Sequence, residues 1–169
     1  MRRAGAVIGV GAMLALATGG GIARSQTPSD GWRTFEGSWS AVGVRQTLPT
    51  EAGRPAAIAH LAGAIVLAGG TLGPGFTAQA IGFDDGVAAA GRAVWTDSRG
   101  DRIFSTLRGE PLETGRRITG TITGGTGRWT HADGEYTLTW QYVVSGEADA
   151  IQGRAVDLRG RLRLKDGRP

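Results

Sequence analysis

His60 and His131 are the only imidazoles in this chain, and cysteine is absent. The two histidines fit neither H-x-H nor H-E-x-x-H, so no histidine metal site is expected. Without cysteine there is no thiolate nucleophile, disulfide, Cys-type zinc site or iron–sulfur centre. The single lysine, Lys165, lies outside any P-loop, and neither G-x-S-x-G nor G-x-G-x-x-G occurs; serine-hydrolase and dinucleotide chemistry lose their signatures. Asp97 and Asp101 do not make an EF-hand loop. Metal and cofactor are therefore both expected to be none. What remains is acid–base chemistry by loop side chains. An imidazole can give or take a proton near neutral pH, which makes His131 one catalytic candidate and Asp97 the other. Against this, Asp97-Ser98-Arg99-Gly100-Asp101 has the composition of a plain hairpin turn, and His131 suits an exposed loop.

The elements that must position these groups are strands. No stretch past Gly31 sustains a helical period over a dozen residues. Alternation, β-branched and aromatic enrichment, and Gly, Pro and Asp punctuation predict strands at 32–47, 56–69, 76–84, 88–96, 102–109, 116–124, 135–145 and 151–164. Short turns join antiparallel neighbours. An all-β, eight-stranded antiparallel up-and-down barrel follows, since closure removes the exposed edges; a two-sheet sandwich is the alternative.

Parity assigns faces. In the last strand Asp157, Arg159, Arg161 and Arg163 share one side and Val156, Leu158, Leu162 and Leu164 the other, so the arginines point outward, as in a barrel that does not sit in lipid. Tyr136, Leu138, Trp140, Tyr142 and Val144 are placed inside. Phe35 and Trp39, Ile81 and Phe83, and Ala93 and Trp95 are expected there too. The meander sorts the loops into two ends about 30 Å apart. One end holds Asp97, Arg99, Asp101, Arg128, Trp129, His131 and Asp133 beside the Gly-rich turn 69–75; the other holds Glu51, Arg54, Asp84, Asp85, Glu110, Glu113, Glu147 and Asp149. The first end is the expected pocket mouth, because it combines a long Gly-rich turn, an aromatic, a histidine and both charge signs, and loops carry function.

Met1-Arg2-Arg3, the uncharged stretch from Ala4 to Ile22, and Ala23-Arg24-Ser25 have the form of a signal peptide cleaved after Ser25. The expected organisation is a leader at 1–25, a linker at 26–31, one barrel domain at 32–165 and a tail at 166–169. Of the 19 basic residues the leader takes Arg2, Arg3 and Arg24, so the rest stand nearly balanced against 15 acids. A periplasmic or secreted location is expected, with no nucleic-acid partner and no membrane insertion of the mature chain. Thr119, Thr121 and Thr123 share a face that can meet water or a second subunit, leaving a homo-oligomer open.

Residues 122–136 read ITGGTGRWTHADGEY. Gly124, Gly125, Thr126, Gly127, Trp129, Ala132 and Gly134 match in order the GGTG-aromatic-x-x-A-x-G signature, and the chain thereby resembles the dirigent and allene oxide cyclase barrel superfamily. That resemblance implies an eight-stranded barrel with an apolar pocket. It departs at Asp133, where dirigent proteins often have a basic residue, and it transfers no catalytic residue. Gly37-Ser38-Trp39 also resembles the G-x-W of lipocalins and avidin-like barrels.

The leading expectation is an exported, cofactor-free barrel binding a small apolar or amphipathic molecule, with Trp39, Phe83, Trp95, Trp129, Trp140 and Tyr142 as its contacts. The alternatives are a cofactor-free cyclase or isomerase acting on such a molecule, and a solidly packed barrel with a structural or interaction role. A hollow interior with an inward carboxylate or histidine favours the enzyme, a hollow apolar one the binder, and a filled one the structural protein.

Overall fold

In-and-out alternation runs through every strand of the computed structural model, which describes residues 31–50, 53–70, 72–73, 75–145 and 149–165. The strands are β1 (Arg33–Leu48), β2 (Ala56–Gly70), β3 (Gly75–Asp84), β4 (Ala89–Thr96), β5 (Arg102–Pro111), β6 (Arg116–Gly125), β7 (Ala132–Ser145) and β8 (Ala150–Leu164), with one 3₁₀ turn at Gly127–Trp129. Each pairs antiparallel with the next, and β8 pairs with β1, so the sheet closes into an eight-stranded barrel. The sandwich is excluded. β7 starts three residues before its expected position because Gly134, which reads as a turn residue, is paired with Ile122 on one side and Leu162 on the other. The leader, linker residues 26–30 and the tail 166–169 lie outside the described residues.

The interior divides along its axis. Toward the β2–β3, β4–β5 and β6–β7 loops it is filled by aromatic rings: Trp95 packs on Phe35 (5.7 Å between ring centres), Phe76 (5.8 Å) and Tyr136 (4.7 Å), and Phe76 reaches Trp129 (6.1 Å). Each such pair contributes about 0.5–1.5 kcal/mol beyond the area it buries. Toward the other end Trp39 and Trp140 face inward from β1 and β7, but β2–β5 turn in mostly small residues, Ala57, Ala59, Ala78, Ala80 and Ala93 with Gly82, Gly91 and Gly109 among them. Methyl groups and hydrogens cannot fill an eight-stranded barrel, and this half is hollow.

Two parity expectations are corrected. Ile81 and Phe83 lie on the outer face, 56% and 50% exposed, because the inward positions of β3 are Phe76, Ala78, Ala80, Gly82 and Asp84. With Val42 on β1 and Ile58 on β2, 60% and 57% exposed, they give β1–β3 an apolar outer wall. The adjoining β7–β8 wall is ionic, with Arg161 on Glu135 at 2.7 Å and Arg163 on Asp133 at 3.2 Å. Val156 also leaves the inner row. β8 carries one extra residue against both neighbours between Ala155 and Leu158, with Asp157 in the left-handed region at φ 53°, and a bulge shifts all later parity by one.

Candidate functional site: a barrel sealed at one end and open at the other

The end expected to be the mouth is sealed. The GGTG segment turns at Thr126, whose N–H donates to the Arg102 carbonyl at 2.8 Å while its hydroxyl accepts the Arg102 N–H at 3.0 Å. This turn throws Trp129 back over the barrel end, where it is 1% exposed. Gly125 permits the approach: a Cβ there would press on the Arg102 carbonyl and stand 2.7 Å from the Cβ of Trp129. Thus Gly125 lets Trp129 close over the barrel as a lid, and Trp129 caps the packed half at the end remote from the hollow.

Asp97 fastens that lid. One carboxylate oxygen accepts the Trp129 indole N–H at 3.0 Å and the Arg128 guanidinium at 2.7 Å; the other accepts the backbone N–H groups of Arg99 at 2.8 Å and Asp101 at 3.0 Å. Arg128 also lies over the Trp129 ring at 4.6 Å. Burial works to raise the pKa of this carboxyl, but the four donors outweigh it and hold it below its ordinary value. Asp97 is thus an ionised anchor with both oxygens engaged, and it does not face the cavity. His131 is exposed beside it, its carbonyl accepting the Lys165 N–H at 2.9 Å. The two catalytic candidates share the sealed end, away from the hollow one.

The hollow half encloses a cavity of about 120 Å³ that opens between the β1–β2, β3–β4, β5–β6 and β7–β8 connections. Trp39 and Trp140 form part of its wall, with ring centres 5.3 Å apart; Tyr142 stands edge-on to Trp140 at 5.9 Å and is 44% exposed near the mouth. Trp95 and Tyr136 bound the cavity where the packed half begins. The Tyr136 hydroxyl is 2.8 Å from the Ser105 hydroxyl, and burial pushes its pKa up to about 12, so the phenol stays neutral. Of the six expected ligand contacts, Trp39, Trp95, Trp140 and Tyr142 come together around this space. Trp129 is the far lid, and the Phe83 side chain is on the outer face of a strand that borders the cavity.

Sequence reading placed Asp84 at the open end but missed Arg45 and Arg116 there. Asp84 ends β3 and Arg116 begins β6, and they meet as an ion-paired fork: Arg116 Nε donates to Asp84 Oδ2 at 2.6 Å and Nη2 to Oδ1. Both side chains are largely buried, at 14% and 19% exposure. Arg45 borders the same space from β1, its guanidinium carbon 6.0 Å from the Tyr142 ring centre. The signal was present in parity: Asp84 continues the Ala78, Ala80, Gly82 row, and Arg116 the Ile118, Ile122 row. Among the described residues no three His, Asp or Glu side chains gather as a metal-ligand set.

Compared with protein-family models, with curated proteins and with solved structures, the chain matches none.

Proposed function

We propose that this is an exported β-barrel protein that holds a small apolar or amphipathic molecule in the hollow half of its barrel, without a cofactor. The observation that carries the reading is the asymmetry of the interior: an apolar space of about 120 Å³, open at one end and closed behind by a packed aromatic layer. Such a concave apolar site with a few convergent polar groups is the usual form of a small-molecule pocket. Export rests on the leader read in residues 1–25 and places the mature chain in the periplasm or outside the cell. The likeness of residues 122–136 to the dirigent and allene oxide cyclase signature supports the same kind of barrel, one that surrounds an apolar guest.

The cyclase or isomerase reading draws on one observation, the carboxylate of Asp84 at the cavity. Both of its oxygens accept from Arg116, and one also accepts the Gly86 N–H at 2.8 Å, so the carboxylate is built into an ion pair and a turn rather than left free to act on a guest as a base. Binding is therefore the better reading.

Native mass spectrometry of the protein purified from its own exported fraction, followed by denaturation and identification of any released compound, tests this. A stoichiometric apolar or amphipathic compound is the expected result, and the same spectrum reads the number of copies in the assembly. No released compound, together with failure to bind an apolar fluorescent probe, would sink the proposal in favour of a structural role.

A further inference from the structure

Three buried side-chain atoms near the hollow half have no protein hydrogen-bond partner: Trp39 Nε1, Trp140 Nε1 and Arg116 Nη1. All three are donors, and all three belong to residues that line the cavity. Buried donors in folded proteins are almost always matched, and one that is not calls for an explanation. The acceptors nearby are already engaged, Asp84 by the Arg116 fork and the Tyr136 hydroxyl by Ser105.

The three also form one feature. Arg116 is the cross-strand partner of Trp140, Trp140 of Ala155, and Ala155 of Trp39. A single register row across β6, β7, β8 and β1 therefore carries a guanidinium, an indole, a methyl and an indole on its inner face. Ala155, fully buried, is small enough to let the two indoles meet over it, with ring centres 5.3 Å apart. Gly153 does the same beneath Trp140, since a Cβ there would reach within 2.7 Å of the ring edge. The charged residues bordering the cavity are two arginines, Arg45 and Arg116, against one carboxylate, Asp84, so the local balance is positive.

We infer that the guest of this barrel is a molecule of about one ring or a short chain that carries acceptor-only oxygen, best a carboxylate and next a carbonyl, and that Trp39, Trp140 and Arg116 receive that oxygen. The inference rests on the binding reading above and names its ligand class. Size follows from volume, since an apolar cavity of about 150 Å³ takes a benzene ring. Polarity follows from the row, because donors in a low-dielectric site discriminate strongly for acceptors, and most for charged ones. A guest that is itself a cation, or that offers only N–H groups, leaves the row unmatched and meets like charge.

The test is titration of the wild-type protein, followed by tryptophan fluorescence or calorimetry, with four probes of one shape: benzoate, benzaldehyde, toluene and benzylamine. Benzoate is expected to bind about tenfold or more tighter than toluene, with benzaldehyde between them and benzylamine weakest. Trp140→Phe and Trp39→Phe remove the N–H and keep an aromatic ring; each is expected to narrow the preference for benzoate over toluene severalfold, whatever it does to apolar binding itself. Equal binding of all four, or toluene tightest, overturns the acceptor row while leaving the pocket standing. Failure of all four to bind overturns the pocket as well. The wild-type ranking decides between these outcomes even where a variant does not fold.

Discussion

At the sealed end of the barrel the buried polar side chains among the described residues have partners, Asp97 taking four donors, and the aromatic rings pack edge-on and tilted against one another. At the other end of the same strands β2, β3 and β4 turn alanine and glycine inward, Trp39 and Trp140 stand across from them without filling the space, and three buried donors have no acceptor. The two ends share one sheet, so backbone geometry does not separate them; side-chain volume and hydrogen-bond matching do. On the binding reading proposed above, one end is made to be stable by itself and the other to take a guest. Substitutions that respect this division act on stability at the sealed end and on binding at the open one.

The largest effect is expected from Trp129→Ala. It opens a void in the packed layer and strips Asp97 of its indole donor, and loss of a buried Trp side chain costs about 3–5 kcal/mol. Urea denaturation should show this as a fall in midpoint at unchanged slope. Binding at the far end should survive in the folded fraction, and a loss of stability under about 1 kcal/mol would mean that the lid is not part of the core.

Asp97→Asn comes next, at about 2–3 kcal/mol, because hydrogen bonds to a charged group are worth more than neutral ones. It also predicts a pH signature. The Asp97 carboxyl titrates lower in the folded chain than its ordinary 3.8, despite burial, through the donors from Arg99, Trp129, Arg128 and Asp101. Its stabilisation is therefore complete above that ordinary value and is lost as pH falls through the lower folded value. The stability difference between wild type and Asp97→Asn should be flat at neutral pH and shrink below about pH 4. A constant difference down to acid unfolding would show that the charge on Asp97 does not matter.

Arg116→Met probes the open end. It leaves Asp84 without its fork, but 14% and 19% side-chain exposure lets solvent screen the pair, so the expected cost is about 1–2 kcal/mol, below that of breaking a fully buried pair. The double variant Asp84→Asn, Arg116→Met should recover part of that loss, since removing both charges removes the desolvation penalty too. A double variant less stable than either single one would mark the pair as a net contributor.

How much of this division could be read from the sequence depends on what each face of a strand carries. Strands and closure were legible, because Gly, Pro and Asp punctuation and period-two alternation are local signals. The outward arginines of β8 were legible for the same reason. The hollow half was not. Ile81 and Phe83 are large and apolar, and bulk alone assigns them inward, yet the inner row of β3 is the one of Ala78, Ala80 and Gly82, whose small size is the trace of the cavity itself. The mouth was assigned to the wrong end by a similar inversion: the Gly-rich turn with Trp129, His131 and both charge signs looked like a site. Of the glycines at that end, Gly125 serves a close approach of backbone and indole, which nothing local in the sequence announces. Asp84 and Arg116, 32 residues apart, meet across the barrel interior, and such pairing has no local signature.

The sharpest test of the comparison, and at the open end the smallest effect on stability, is expected from adding volume at the two ends. Ala132 is 5% exposed in the packed half, where three extra carbons must displace neighbours; Ala132→Leu is expected to cost about 1–3 kcal/mol, as overpacking of a full core does. Ala80 faces the cavity of about 120 Å³. A leucine there enters empty space and buries its own apolar surface, so Ala80→Leu should change stability by less than about 1 kcal/mol, in either direction. It should nevertheless abolish binding of ring-sized probes, because the space they need is taken. If Ala80→Leu costs as much as Ala132→Leu, the hollow half is closed in solution and the two ends do not differ in kind. If it costs nothing and toluene still binds, the guest sits elsewhere than in the barrel.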